Sequence, residues 1–348
     1  GVAFLASVAV VTVGGSAAWA ATDTVTSCNG AGSLSAVVAT AGSGDTITFA
    51  PGLTCTGSNS IQLNSPITID QNNLTIVGPG AGMAVVTGLD AMQGFVINST
   101  GTVSISGLTV AGCRIATSTD IAFGGGIDDE GTGTLDLSGV TVSDNTAFNP
   151  GDVGAGAAGG GIAVVAGSLH ITDSKIVQNI AESGLTGAPG SPLALGGGIF
   201  VGSGAGNLSI TDTTISGNGA TATGIGSEAQ GGGIFNGAQG ADLVINTSTI
   251  SNNTAVGSNP TTGETQSEFV AGGGIVTLST DNTIATTTID SNSASASGTV
   301  AQSLGGGIWD GGSSENTAIT ASTIGNNTAT ATQPALDAQS NAGTASGG

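Results

Sequence analysis

Apolar and small polar residues alternate along most of this chain, in short stretches separated by glycine-rich segments. Leu208–Ile210 is followed by Thr214–Ser216, and Leu243–Ile245 by Thr249–Ser251. A period of two residues indicates half-buried β-strands, and the Thr, Val and Ile of these stretches suit a pleated surface. Long helical windows are missing, and the 63 glycines would disfavour helix interiors. The pattern therefore predicts many short strands.

The strand-like stretches belong to a repeat that begins with Gly-Gly-Gly-Ile and ends in an asparagine. The six triplets begin at Gly124, Gly159, Gly196, Gly231, Gly272 and Gly305. The six asparagines are Asn145, Asn179, Asn218, Asn253, Asn292 and Asn327. A spacing of roughly 35 residues is typical of stacked copies of one supersecondary unit.

Aligning the repeats on the asparagine produces columns of one residue type. The eighth position before it holds Leu137, Ile171, Ile210, Ile245, Ile284 and Ile319. The third position before it holds Val142, Ile176, Ile215, Ile250, Ile289 and Ile324. Such columns arise when the chain forms a coil in which equivalent residues of successive turns stack on one another. We therefore predict an all-β fold, a right-handed parallel β-helix with three short strands per turn.

The glycines and asparagines have structural roles in this prediction. Each triplet is expected where a variable loop re-enters the coil, because glycine allows a positive φ or a close backbone approach. Asparagine tolerates left-handed corners, and a column of asparagines can hydrogen-bond along the stack. A phosphate-binding loop would need a following helix and a nearby lysine, and the sequence offers neither.

The two ends differ from the repeats. Residues 1–20 read as a truncated secretory signal peptide with a cleavage site at Ala18–Ala20, so we expect no membrane insertion after cleavage. The β-helix is predicted over residues 21–330. The one credible helix, Ser33–Ala41, would cap the open end of the coil. Residues 331–348 are small and polar, and we expect a disordered tail or linker there.

The three cysteines add one covalent prediction. Cys28 and Cys55 flank the predicted cap, and we expect a disulfide between them in an oxidising compartment. Cys113 is then unpaired. It occupies the asparagine column of an earlier, divergent turn, where we expect a small buried space-filler.

Charge restricts the classes of partner. Two basic residues face 23 acidic ones, which gives a net charge of −21. Nucleic acid, anionic membrane surfaces and polyanionic sugars are repelled by such a field. Divalent cations and neutral glycans remain compatible, although the acidic residues also serve simply to keep the surface soluble.

The stretch SLSAVVATAGSGDTITFAPGL…SPITIDQNNLTIVGPGAG, within residues 33–82, resembles the opening of secreted bacterial right-handed β-helix proteins. The repeats GGGI…TISGN and GGGI…TISNN resemble those of polymorphic outer-membrane-type adhesins, with glycine replacing alanine and Thr-Ile replacing the phenylalanine before the asparagine. The resemblance implies a secreted or cell-surface β-helix with an adhesive or structural role. It says little about activity, because this architecture hosts many functions.

The alternative function is a polysaccharide lyase or glycoside hydrolase acting on a neutral glycan, since pectinolytic enzymes share the coil. That chemistry needs a basic residue near calcium, or paired carboxylates. The only basic candidates are Arg114, Lys175 and His170, and alternation points His170 outward, alone. The sequence predicts no catalytic residue.

The best carboxylate group is Asp128, Asp129 and Glu130, to which Asp144 could be added. These residues are weak candidates for a general acid and base or for calcium ligands. Neighbouring residues on a strand point to opposite faces, which argues against a joint site, and a solvated turn explains the run equally well. No cofactor is predicted, calcium being the one that remains open.

The position after each triplet's isoleucine defines a candidate binding surface. It holds Asp128, Ala163, Phe200, Phe235, Val276 and Trp309. If the isoleucines point inward, these residues point outward, and Phe200 and Phe235 stack one rung apart at about 4.8 Å. Phe200, Phe235 and Trp309 are therefore candidates for binding a glycan or a cell-surface protein. The alternative is that preceding loops bury them.

Overall fold

The structure is a computed structural model that describes residues 20–151, 156–184, 191–259, 266–312, 316–333 and 344–346. The predicted signal peptide, residues 1–20, lies outside the described residues except for Ala20. The predicted tail, residues 331–348, also lies largely outside them. Its described residues, except Gln333, belong to two strands, Thr328–Thr332 and Thr344–Ser346.

The described chain forms five β-sheets in which every pair of neighbouring strands is parallel. The turn that starts at Gly124 contributes one strand to each sheet, and we number the sheets I to V in that order. Its strands are Ile127–Asp129 (I), Thr134–Ser138 (II), Thr141–Ser143 (III), Thr146–Asn149 (IV) and Gly156–Ala158 (V). This is the predicted all-parallel β-helix.

The strands of each sheet follow one another along the coil. Sheet I contains Ile67–Ile69, Phe95–Ile97, Ile127–Asp129, Ile162–Val164, Ile199–Val201, Ile234–Asn236, Ile275–Thr277 and Ile308–Asp310. Sheet II contains Thr22–Val25, Thr46–Phe49, Thr75–Val77, Thr102–Ser106, Thr134–Ser138, Ser168–Thr172, Leu208–Thr211, Asp242–Asn246, Asp281–Ala285 and Asn316–Thr320. Sheet III contains Ile61–Gln62, Val85–Thr87, Thr109–Ala111, Thr141–Ser143, Lys175–Val177, Thr214–Ser216, Thr249–Ser251, Thr288–Asp290 and Thr323–Gly325.

Sheets IV and V begin later in the chain and are shorter. Sheet IV contains Arg114–Ala116, Thr146–Asn149, Ile180–Ser183, Gly219–Thr223, Thr254–Ser258, Ser293–Ser297 and Thr328–Thr332. Sheet V contains Ala122–Phe123, Gly156–Ala158, Leu193–Leu195, Glu228–Gln230, Ser267–Ala271, Val300–Leu304 and Thr344–Ser346.

The prediction of three strands per turn is wrong, because each complete turn has five. The residues between each asparagine and the next triplet were expected to be variable loops. Several instead alternate alanine with a hydroxyl residue, as in Gly219–Thr223 and Thr328–Thr332, and they pair in register with their neighbours. This alternation predicts a strand, but its inward residue is alanine, which is small and is not readily recognised as a core residue.

Two cores of different width run along the coil. Sheets I to III enclose a wide core of Ile, Leu and Val, which includes the predicted columns through Ile210 and Ile250. Sheets IV and V enclose a narrow core built from alanine, for example Ala220, Ala229 and Ala255. In the last described turn, Ile319 and Ile324 of the wide columns are 41% and 44% exposed.

The glycine triplets form the neck between the two cores. Gly124 has a φ of +57°, which L-residues with a Cβ rarely adopt. A Cβ on Gly125 would lie 2.5 Å from the carbonyl oxygen of Thr146. The predicted reasons for the triplet, a positive φ and a close backbone approach, are confirmed.

The asparagine column is a continuous hydrogen-bonded ladder. The backbone N–H of Asn218 donates to Oδ1 of Asn253 at 3.0 Å, and its Nδ2 donates to the same oxygen at 2.9 Å. Nδ2 of Asn218 also donates to the carbonyl of Ile176 at 2.9 Å. Cys113 stands at the head of the ladder, where its N–H donates to Oδ1 of Asn145 at 3.0 Å. It is buried and unpaired, as predicted.

A second polar ladder was missed by the sequence analysis. In successive turns the hydroxyls of Ser174, Thr213, Ser248, Thr287 and Ser322 each accept a backbone N–H from the preceding turn. The sequence does contain the pattern that predicts this ladder, because a Ser or Thr lies five positions before the asparagine of each of these repeats.

A disulfide and a short helix lie in the first described turns of the coil. Cys28 and Cys55 are bonded, as predicted. The helix is Leu34–Val38, shorter than the predicted Ser33–Ala41, and both its end residues are buried in the wide core. A single 3-10 turn, Gly57–Asn59, follows.

Candidate functional site

The outer faces of sheets I and V meet in a third apolar cluster, which we call the corner. The residue after each triplet's isoleucine faces away from the wide core, and the residue before each triplet faces away from the alanine core. The corner's buried members are Ala158, Ala163, Phe200, Phe235, Ala271 and Val276, and its partly buried members are Ile121, Phe123, Leu195, Phe269, Leu278, Leu304 and Trp309.

Aromatic rings run along the corner. Phe200 and Phe235 are register partners, and their rings stack with centroids 5.6 Å apart and planes 9° apart. Phe123 packs against Phe200 at 5.7 Å. Further along the coil, Phe269 and Trp309 make an edge-to-face contact at 5.6 Å. The predicted stacking of Phe200 on Phe235 is therefore present.

The two stacked rings are mostly covered. Phe200 and Phe235 are 9% and 8% exposed, whereas Phe123, Phe269 and Trp309 are half-buried. They share the corner with residues of sheet V such as Leu195 and Ala271. The binding role of Phe200, Phe235 and Trp309 stays a prediction, and the structure adds Phe123 and Phe269 to the aromatic residues within reach of a partner. Phe123 was recognisable as the residue directly before the first triplet.

A cavity of about 330 Å³ lies at the N-terminal end of the corner. Three carboxylates line it, those of Asp120, Asp128 and Glu130. Gln93 and the apolar side chains of Ile115, Ile121 and Phe123 complete most of the wall. Its volume lies near the lower end of the roughly 300–1,000 Å³ range of small-ligand sites.

Asp128 is the least solvated of the three lining carboxylates. It is 6% exposed. Its Oδ2 accepts a long hydrogen bond of 3.4 Å from Nε2 of Gln93, and its buried Oδ1 has no hydrogen-bond partner. Burial, followed by the nearby charge of Glu130, raises the pKa of Asp128 to about 7. Near neutral pH the side chain therefore exchanges between its neutral and charged forms.

Asp129 points to the opposite side of the same strand, as the alternation argument predicts. It is 2% exposed, and its Oδ1 accepts the backbone N–H of Gly131 at 3.0 Å. Burial raises the pKa of Asp129 to about 7, and this hydrogen bond opposes the shift. Asp144 lies at the left-handed corner between sheets III and IV, with a φ of +56°. Within the described residues, no three His, Cys, Asp or Glu side chains are grouped so that they could hold a metal ion.

The basic candidates have other neighbours. His170 faces outward but is not alone, because the strand register sets it beside Asp136, and its Nδ1 lies 2.9 Å from Oδ1 of that residue. The guanidinium of Arg114 covers the ring of Phe148 at 4.8 Å. Lys175 is exposed on sheet III. None of the three lines the carboxylate cavity.

No protein-family model matches this chain, and no curated protein matches it. Its resemblance to adhesin repeats therefore remains an interpretation of the sequence motifs. Of the helices in the described part of the chain, none has the length and apolar character needed to cross a lipid bilayer.

Proposed function

We propose that this protein is secreted or displayed at the cell surface, where it has an adhesive or structural role without catalysis. The observation that supports adhesion is the corner, where half-buried aromatic rings line an inside angle between two rigid sheets. Aromatic side chains in such an angle suit the faces of sugar rings and the apolar side chains of proteins. The partner is then a neutral glycan or a cell-surface protein, consistent with the net charge of −21.

The fold supports a mechanical role as well. Most side chains shared by the repeats are used for stacking, in the aliphatic columns and in the asparagine ladder. A coil of this kind holds its surface rigidly and keeps a binding surface at a fixed distance from an attachment point.

Catalysis on a neutral polysaccharide remains the second candidate function, and one observation favours it. Asp128 and Glu130 both line the cavity, and burial raises the pKa of Asp128 to about 7. Glycoside hydrolysis uses an acid with a raised pKa together with a second carboxylate.

One screen separates the candidates. The purified β-helix is applied to an array of neutral glycans and to intact cells, and each glycan is also incubated with the protein and analysed for released products. Adhesion predicts binding without product release. Product release would replace the proposal with the enzymatic alternative, and the absence of both would leave a purely structural role.

A further inference from the structure

The carboxylate cavity at the N-terminal end of the corner has the properties of a binding site for an organic cation. We propose that it binds the ammonium or guanidinium group of a lysine or arginine on a partner protein. The proposal rests on the proposed adhesive function and deepens it, because it identifies the partner as a protein rather than a glycan.

The cavity wall has a surplus of hydrogen-bond acceptors. Asp120, Asp128 and Glu130 contribute carboxylate oxygens. The amide donor of Gln93 is already engaged by the carbonyls of Phe123 and Gly124, at 2.8 and 3.1 Å. Lysine and arginine head groups carry three and five donors and no acceptor, which matches such a wall. A sugar hydroxyl also needs donors for its lone pairs, and the wall offers few.

Asp128 carries an oxygen atom without a hydrogen-bond partner. A buried acceptor without a partner is destabilising, and Oδ1 of Asp128 is in that condition inside a nine-tenths buried side chain. Asp128 lines the cavity, so a charged donor entering it would offer this carboxylate a partner. Charge-assisted hydrogen bonds of this kind are about twice as strong as neutral ones.

The apolar part of the cavity wall and the negative electrostatic field of the protein also favour a basic side chain. Ile115, Ile121 and Phe123 give the cavity apolar walls, which can bury the methylene stem of a long basic side chain. Phe123 is the aromatic side chain in this wall, and aromatic rings attract cations. The net charge of −21 attracts basic partners from a distance, and no basic side chain lines the cavity to neutralise it.

The groups facing Asp128 predict how binding depends on pH. Glu130 and Asp129, on the same stretch of chain, both raise its pKa, Asp120 lines the other wall of the cavity, and its register neighbours Val96 and Ala163 are apolar. A bound cation favours the charged carboxylate, so binding releases a proton. The affinity should therefore increase as the pH is raised through 7.

The test uses small probes and the whole β-helix. Binding of n-butylammonium and of N-butylguanidinium is measured by NMR chemical-shift titration, with n-butanol as the uncharged probe of the same stem and methyl α-glucoside as the sugar probe. We expect both cations to shift the signals of Gln93 and Phe123 in a saturable way, and butanol and the glucoside to leave them unchanged. The tighter cation distinguishes lysine from arginine as the natural group.

Two variants localise the effect. Asp128→Asn removes the central charge at nearly constant shape and should weaken both cations about tenfold, the loss of one charge-assisted hydrogen bond. Asp242→Asn removes one exposed charge from sheet II and should leave the affinity unchanged. Glu130→Gln, at the exposed rim, gives a second measurement should Asp128→Asn fold poorly, and should weaken binding several-fold.

Equal binding by the wild type, Asp128→Asn and Glu130→Gln would overturn the proposal, as would saturable binding of butanol or the glucoside at the same site. These results are distinguishable from failure of the adhesive function. Cation binding by a protein that adheres to no cell would contradict adhesion alone, whereas adhesion without cation binding would contradict only this site.

Discussion

Ile250 lies at the centre of a column to which each turn contributes one aliphatic side chain. It pairs in register with Ile215 and Ile289 and is fully buried. An aspartate here would place an unpaired charge between two isoleucines, so Ile250→Asp should destabilise the protein by more than about 4 kcal/mol. Urea unfolding followed by circular dichroism measures the change.

The same column provides its own control. Ile324 occupies the equivalent position in the last described turn but is 44% exposed. Ile324→Asp should therefore cost roughly 1 kcal/mol or less, because the new carboxylate stays in water. Equal losses for the two substitutions would show that stacking within the column is not what holds the coil together.

Asp128 and Asp129 make the stability depend on pH in a defined direction. Burial raises both pKa values from 3.8 to about 7, so the folded protein binds more protons than the unfolded chain between these limits. These two groups therefore make the free energy of unfolding highest below about pH 4. It decreases as the pH rises to 7, and above that pH they change it no further.

The melting temperature should accordingly be higher at pH 5 than at pH 8. Asp128→Asn removes the charge that is costly to bury, so the variant should melt later than the wild type at pH 8 and should show a smaller difference between the two pH values. Thermal melts of both proteins at pH 5 and pH 8 give the comparison. A wild type that melts later at pH 8 would mean that these carboxylates are better solvated than their burial implies.

At the scale of elements, the asparagine ladder runs along the glycine neck between the two cores, with Asn253 packed against Gly233. Each rung accepts two hydrogen bonds from the turn before it, and Asn253 receives the N–H and the Nδ2 of Asn218. Asn253→Ala would leave these donors buried without an acceptor. We expect a loss of roughly 2–4 kcal/mol, from two unsatisfied groups.

Asn252 provides the matched control for this substitution. It precedes Asn253, is exposed, and has a φ of +56°. Glycine adopts this φ without strain, so Asn252→Gly preserves the backbone conformation and removes no hydrogen bond of the ladder. It should be nearly neutral in denaturant unfolding. If Asn253→Ala were equally neutral, the ladder would be a consequence of the fold and not a source of its stability.

The sequence predicted elements best where one residue type recurs in register. The isoleucine columns, the asparagine ladder and the triplets follow from local chemistry that repeats in every turn. Sheets IV and V were missed because their inward residues are mostly alanine, which carries little hydrophobic signal when read alone. The ladder from Ser174 to Ser322 was missed because serine and threonine in a turn are unremarkable until the register is known.

The candidate site was only partly predictable for a related reason. Alternation correctly directed Phe200 and Phe235 away from the wide core and stacked them. It could not show that sheet V folds against them, because sheet V was itself unrecognised. The cavity at Asp128 also depends on this packing, since Asp120 and Phe123 approach Asp128 only through the tertiary fold.

At the scale of the whole molecule, two cores joined at a glycine neck create an inside angle along the coil. The outer faces of sheets I and V converge there on one line of aromatic and aliphatic side chains. The same arrangement leaves sheet III on another side, with a flat outer surface of mostly Thr and Ser. A partner that needs a concave apolar surface is therefore expected at the corner.

The most direct test of the adhesive account compares one corner variant with one variant of sheet III. Trp309→Ala removes a half-buried ring of the corner, and Thr214→Ala removes a hydroxyl from the outer surface of sheet III. Binding of each purified protein, and of the wild type, is titrated against the cells or molecules found in the screen, with circular dichroism to verify folding. The account predicts that Trp309→Ala weakens binding about tenfold or more, as expected for an aromatic anchor, while Thr214→Ala binds like the wild type. Folded variants that bind equally well, or no binding by the wild type to any cell or molecule, would contradict it.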